Sequence, residues 1–210
     1  MFTGIVTAVG TIREAHQTGD LRAVITCPFD PAGIAMGASI ACSGTCLTVV
    51  DKGGVASPNG ENTAWFAVDI SGETVACTVP GRWQEGTRLN LEPALKLGDE
   101  LGGHIVTGHV DGVGTVLGIS PEGDSRRIDF AVAAELAPYL AAKGSITIDG
   151  VSLTVNEVAD QDDGTCHFAV NIIPHTAEVT TLGALAQGDS VNLEIDVLAR
   201  YLKRMQSLRT

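Results

Sequence analysis

Residues 37–49 read GASIACSGTCLTV, and residues 144–155 read GSITIDGVSLTV. Setting Ser39 against Ser145 aligns Ile40 with Ile146, Gly44 with Gly150, Leu47 with Leu153 and Thr48 with Thr154, all at an offset of 106. Upstream, residues 3–11 (TGIVTAVGT) match residues 107–115 (TGHVDGVGT) at an offset of 104. Downstream, Leu89-Asn90-Leu91-Glu92 matches Val191-Asn192-Leu193-Glu194 at an offset of 102. Three blocks in one order with a nearly constant offset define a duplicated unit of about 100 residues, the size of a domain. Solenoid units are shorter, about 20–50 residues, and bury a core only by stacking. Each copy here can bury its own. Function is therefore expected in two similar sites and in what differs between them.

Each copy alternates short β-rich runs with Gly-containing turns. In the first copy 2–13, 21–27, 39–51, 64–70 and 88–91 read as strands, with 104–119, 126–132, 145–158, 165–172 and 191–195 as their counterparts. Short helices are expected at 31–36, 133–142 and 182–186, with Pro138 at a kink or first-turn position. The absence of βαβ spacing predicts an all-β chain of two homologous six-stranded Greek-key barrels in tandem, with a C-terminal α-helix. The expected units are an N-terminal barrel at 1–97, a C-terminal barrel at 98–196 and a terminal helix at 197–210. The linker is read as 92–103, EPALKLGDELGG.

Composition narrows the function. A formal charge of −12 and nine aromatic residues without a stacking cluster disfavour nucleic acid, whose phosphates call for clustered Lys and Arg. No apolar run approaches the roughly 20 residues of a membrane span. The N-terminus has no basic n-region and reads as a strand, not a leader. Cys27, Cys42, Cys46, Cys77 and Cys166 are an odd count without a disulfide framework, which predicts free thiols in a cytoplasmic protein. The basic exception is the tail, where Arg200, Lys203, Arg204 and Arg209 follow Asp196. There Leu198, Tyr201, Met205 and Leu208 are spaced as an a/d seam. A helix this short needs a docking partner. That partner is either its own barrel or other copies of the chain, and a seam placed after both barrels are complete favours self-association.

MFTGIV, SGTCLTV, GDELGGHIVTGHVDG, KGSITIDGVSLTV and VNLEIDVLARYL, in this order and with the duplication, resemble the riboflavin synthase family of lumazine-binding domains from residue 1 to about residue 202. The resemblance implies dismutation of two molecules of 6,7-dimethyl-8-ribityllumazine. One gives a four-carbon unit to the other, yielding riboflavin and 5-amino-6-ribitylaminouracil. It implies no metal and no redox cofactor. It also implies a homotrimer around the C-terminal helices, with each active site between the N-barrel of one subunit and the C-barrel of another. Lumazine synthase is a candidate partner.

By motif match, the N-barrel site includes Gly4, Ile5, Val6, Cys46, Leu47, Thr48, Asp69, Ile70, Ser71, Gly72, Glu73 and Thr74. The C-barrel site includes Gly108, His109, Val110, Lys143, Ser152, Leu153, Thr154, Ile172, Ile173, Pro174, His175, Thr176 and Ala177. Two copies of one fold suit a reaction between identical molecules, and holding two reactants in attack geometry is worth roughly 7–11 kcal/mol. One lumazine must lose a proton from its C7 methyl while the other accepts a nucleophile at C7. The repeats diverge accordingly: Cys46 faces Ser152 in the alignment, Ser43 faces Asp149, and Ile5 faces His109. His109, Ser152, Thr154 and Cys46 are the candidate catalytic groups. Histidine is the side chain suited to acid–base work at neutral pH, and Ser152 and Thr154 are expected beside His109.

Each residue also has a plainer reading. Any single Thr can be an ordinary β-former, and Cys46 a small buried hydrophobe. The C-x3-C spacing of Cys42 and Cys46 allows a metal pair only if both face one side. His104 reads as structural, and Asp196 as either a polar bridge or a helix cap. The chain departs from the family pattern at Pro93, Thr45, His175 and the run Val75–Trp83. The rival reading is a monomeric, non-catalytic lumazine or flavin carrier of the same fold. Retention of both site motifs and of an apolar terminal helix argues against it.

Overall fold

The computed structural model describes residues 1–56 and 62–208. Arg209 of the basic tail lies outside them. The first barrel comprises β1 (Ala8–Thr18), β2 (Asp20–Cys27), β3 (Ser39–Cys42), β4 (Thr45–Ala56), β5 (Asn62–Ile70) and β6 (Arg88–Pro93). The second comprises β7 (Gly112–Glu122), β8 (Ser125–Val132), β9 (Ser145–Ile148), β10 (Val151–Asp160), β11 (Cys166–Ile172) and β12 (Ser190–Ile195). Both close in the same antiparallel order, β1-β2-β5-β4-β3-β6 and β7-β8-β11-β10-β9-β12. Bulges recur at matched places, Ile12/Glu14 with Val116/Gly118 and Val49/Asp51 with Val155/Glu157. The duplication therefore extends to register.

Alternation explains the cores. Ile12, Ile25, Phe66, Val68, Leu89 and Leu91 fill the first barrel. Val116, Ile128, Phe130, Phe168, Val170 and Leu193 fill the second, with Phe130 and Phe168 stacked at 5.2 Å. A separate cluster of Phe2, Ala41 and Val106 lies between them, tied by Phe2 N–H to the Val106 carbonyl at 2.7 Å.

Several sequence expectations need correction. The runs 39–51 and 145–158 are not single strands. Each is a hairpin, β3/β4 and β9/β10, folded at Ser43-Gly44 and Asp149-Gly150. All four turn residues have positive φ (44°, 82°, 44°, 84°), as primed two-residue turns require. Residues 2–7 and 104–111 are outside the barrel strands apart from the Phe2–Val106 bridge. The helix expected at 133–142 is one 3-10 turn, Ala137–Tyr139, because Pro138 stops longer pairing and Leu136, Ala137 and Leu140 turn in to the core. The first short helix is reduced to Pro31–Gly33, and the third to Thr181–Ala184. Glu92 belongs to β6 and is buried, so the linker begins after Pro93. Two helices were not foreseen: α1 (Gly72–Cys77) and α2 (Pro174–Val179). The terminal helix α3 (Val197–Ser207) forms as expected. Among the described residues no helix is long and apolar enough to cross a membrane.

Candidate functional site

The alternation of β4 turns Leu47 and Val49 into the core and leaves Cys46 half-buried and Thr48 exposed on the outer face. In β10 the outer positions are Ser152 and Thr154, while Leu153 packs on the core. Leu47, Ile70 and Ile172 have core side chains, so they contribute no side-chain contact to a surface site. Ser71 caps α1 by accepting from Thr74 N–H, and Glu73 accepts from the Cys77 thiol. Ile173, Pro174 and His175 are exposed at the start of α2, with Thr176 and Ala177 half-buried behind them. Lys143 is exposed and donates its N–H to Val155 at 2.7 Å, as Gly37 does to Val49 in the first repeat.

The grouping of these residues corrects the expectation. The Thr-Gly loop of each repeat lies against the other barrel. Ser152 N–H donates to the Gly4 carbonyl, and Cys46 N–H to the Gly108 carbonyl, both at 2.8 Å. The approach is so close that a Cβ on Gly4 would stand 2.5 Å from Ser152 Cβ, and one on Gly108 2.6 Å from Cys46 Cβ. Both glycines also have positive φ, 76° and 79°. Gly4, Ile5 and Val6 therefore belong with Ser152 and Thr154, and Val6 packs on the second core. Gly108, His109 and Val110 belong with Cys46. They share a cleft of about 240 Å³ with Thr45, Glu73, Thr74, Cys77 and Thr78. His109 is thus beside Cys46 and not beside Ser152.

Carboxylates hold both loops. Glu92 accepts from Thr3 N–H, Thr3 Oγ1 and Gly4 N–H at 2.7–2.9 Å. Glu194 accepts from Thr107 N–H, Thr107 Oγ1, Gly108 N–H and His109 N–H at 2.7–3.1 Å. Burial pushes both carboxyls up, against the pull of these donors. The histidine beside Ser152 is His104: Nδ1 is 2.6 Å from Ser152 Oγ, and Nε2 is 3.2 Å from Thr147 Oγ1. Burial lowers its pKa, and Asp196 opposes the shift. Asp196 itself caps α3, accepting from Leu198 N–H at 2.9 Å. Cys42 and Cys46 do not pair. Cys42 is inside the barrel, where burial drives its thiol far up, and Cys46 is outside.

The sequence reading missed Glu92, Glu194, His104, Cys77 and the joint between barrels. One signal was available. The repeated Asn-Leu-Glu places Asn90 and Asn192 in that joint, where Asn90 Nδ2 donates to Asp149 O and Asn192 Nδ2 to Ser43 O at 2.8 and 2.9 Å. Their Oδ1 atoms accept from Thr181 and Val79 N–H. Polar residues kept in the same place of two barrel strands are better explained by a partner than by a core.

A profile described as the lumazine binding domain matches twice, at residues 3–94 and 107–196. The riboflavin synthase of Brucella abortus (strain 2308) is 46% identical, covering 98% of each chain. That of Mycobacterium tuberculosis (strain ATCC 25618 / H37Rv) is 43% identical, also with 98% of each covered. Among solved structures, LumP complexed with 6,7-dimethyl-8-(1'-D-ribityl) lumazine is 25% identical with a TM-score of 0.71, covering 93% of this chain and 99% of that one. LumP complexed with riboflavin is 27% identical with a TM-score of 0.70 and the same coverage. Full-length similarity to the enzymes, two matched domains and two matched barrels lead to one conclusion: the chain belongs to the riboflavin synthase family of duplicated lumazine-binding domains.

Proposed function

We propose that the chain catalyses the dismutation of two 6,7-dimethyl-8-ribityllumazine molecules to riboflavin and 5-amino-6-ribitylaminouracil, a four-carbon transfer. The observation that supports this reading is that each repeat keeps its Thr-Gly loop and each loop is seated on the other barrel, against Ser152 or against Cys46. A carrier of one chromophore needs one such loop. The first site uses Cys46, Thr48, the segment 69–74 and the loop 108–110. The second uses Ser152, Thr154, Lys143, the segment 172–177 and the loop 4–6. Outer hydroxyls and backbone groups fix the pyrimidinedione and ribityl groups. His109 takes or returns the proton of the C7 methyl within the first site, and Ser152 and Thr154 polarise the second lumazine. The two products together contain every atom of the two substrates, so no oxidant enters.

Assembly is a homotrimer in the cytoplasm, built from units 1–97 and 98–196 and held by α3 (Val197–Ser207). Supporting it, Leu198, Tyr201, Leu202, Met205 and Leu208 of the α3 region are 54–69% exposed. Arg200 anchors α3 through Asp111 at 2.7 Å without covering that face. Trimer packing would bring a first site of one subunit against a second site of another, which juxtaposes the two reactants. Lumazine synthase is a candidate partner. The test is purified protein with the lumazine and a chelator. Riboflavin should appear at one mole per two of lumazine consumed. Tight binding without riboflavin would establish the carrier instead.

A further inference from the structure

The joint between the barrels is nearly two-fold, and one contact in it has no counterpart. Ser43 and Asp149 occupy equivalent turns with the same φ of 44°. Ser43 Oγ accepts from Asn90 N–H at 3.2 Å, and Asp149 Oδ1 accepts from Asn192 N–H at 2.8 Å. Only Asp149 carries charge, and its side chain is 2% exposed. Arg82 reaches it from the other barrel, Nη2 lying 2.9 and 3.1 Å from the two carboxylate oxygens, with its own side chain 10% exposed. At offset 102 the counterpart of Arg82 is Ala184. Arg82 also stands in the run Val75–Trp83 that departs from the family pattern.

We propose that Arg82 is a positioning residue: by pairing the buried Asp149 carboxylate it makes the joint one-directional and keeps the loop 108–110 seated over Cys46. The connection is continuous. Asp149 holds the Asn192 N–H on β12. Two residues along the same strand, Glu194 holds the N–H groups of Thr107, Gly108 and His109. On the other side, Arg82 follows Thr78, which lines the Cys46 cleft and accepts from the buried Trp83 indole at 2.8 Å. The pair also selects the partner. Two second barrels docked in this way would bury two Asp149 carboxylates opposite two alanines. A buried carboxylate without its cation is strongly unfavourable, so only the unlike pairing is satisfied.

The repeat itself supplies the test. Asp149→Ser turns the second turn into a chemical copy of the first, in which a serine needs no arginine, and the released Arg82 lines an open surface cleft where water can solvate it. The full chain is used in a Cys77→Ser background. Cys46 is then the accessible thiol, because Cys27, Cys42 and Cys166 are buried. Iodoacetamide alkylation of Cys46 is followed well below the unfolding transition, with the thermal midpoint measured alongside. Arg82→Ala should accelerate alkylation by roughly tenfold, since it leaves the carboxylate buried and unpaired. Asp149→Ser should stay within about twofold of the parent, and the double variant should return to the Asp149→Ser rate, the two sites being coupled. A purely structural role would lower the midpoint without opening Cys46. An unchanged rate in Arg82→Ala, or a double variant as fast as Arg82→Ala, overturns the proposal. Should Arg82→Ala not fold, the double variant still must, and its failure to fold is equally fatal. No substrate is involved, so the outcome does not depend on the activity proposed above.

Discussion

Asn192→Asp is the sharpest single-atom probe of the joint. The asparagine is buried and bonded at four points: its N–H to Asp149 Oδ1 at 2.8 Å, its carbonyl from Asp149 N–H at 2.8 Å, Nδ2 to the Ser43 carbonyl at 2.9 Å, and Oδ1 from Val79 N–H at 2.8 Å. Aspartate keeps the shape and the acceptor for Val79. Its second oxygen then faces the Ser43 carbonyl, acceptor against acceptor, and a new charge stands beside Asp149. The lost hydrogen bond costs about 1 kcal/mol, and the uncompensated charge brings the total to about 3–5 kcal/mol. At about 2–4 °C per kcal/mol for a chain of this size, the midpoint should fall by roughly 6–20 °C near neutral pH. The sign of the pH dependence is fixed. Burial and the neighbouring carboxylate raise the new group above the usual value of about 3.9. The folded chain then binds that proton more tightly than the unfolded chain, so the deficit shrinks as pH falls through the raised value. The protonated group can also donate to Ser43 as the amide did. Asn90→Asp should show the same signature, since its second oxygen would face the Asp149 carbonyl. Circular dichroism melts at neutral and mildly acidic pH decide the matter. Parental stability at neutral pH, or a deficit that does not shrink on acidification, would refute the reasoning.

Three further outcomes are expected. His109→Ala should slow single turnover of saturating lumazine by about 10²-fold, within the range of general acid–base help, and Cys46→Ser should be milder because serine already stands at 152. An inactive Cys46→Ser beside a fully active His109→Ala would reverse the roles. A chain ending at Val197 loses the exposed apolar face of α3. Burying such side chains is worth about 1.5–3 kcal/mol each, enough across several copies to offset an association cost of about 4–15 kcal/mol. The truncated chain should sediment as a smaller species, and a trimer that survives truncation sinks the assignment. His104, whose pKa burial lowers, contributes stability that is present above its unfolded value of about 6.5 and is lost as pH falls from there toward the folded value. His104→Asn should flatten that part of a midpoint-against-pH curve, and an unchanged slope would show that folding does not lower the His104 pKa.

The barrels were legible because duplication multiplies weak signals. A strand read once is a guess, but the same strand read at offsets of 102–106 carries its register and even its bulges. The hairpins at Ser43-Gly44 and Asp149-Gly150 were hidden by unbroken β-propensity on both sides, although Ser-Gly and Asp-Gly are turn pairs. The helices α1 and α2 were missed because six residues show no 3.6-residue period, and only a cap at Ser71 and a proline at 174 mark them. The site residues were found by motif, but their assignment to barrels was not. Chain order places Gly4 before Cys46 in one repeat. Only the fold shows that a loop preceding the first strand of a barrel extends across to the neighbouring one.

That exchange changes what the divergence of the repeats means. Had each loop served its own barrel, replacing Ile5 by His109 would have polarised the second site, beside Ser152 and Thr154. Because the loops cross, His109 polarises the first, where Cys46, Glu73, Thr74 and Cys77 already line the cleft. The second site receives Ile5 from the crossing loop and finds its imidazole elsewhere, in His104, bonded to Ser152 and buried enough to favour the neutral ring. The two sites are therefore unlike in kind, one with a histidine open to a cleft, the other with a histidine locked between two hydroxyls. On the proposed reading, two identical molecules placed in them would meet different protonation chemistry without any further device. A dismutation requires that inequality, and a duplicated gene with crossed loops can reach it through one substitution at position 109 and one residue, 104, that precedes the repeat.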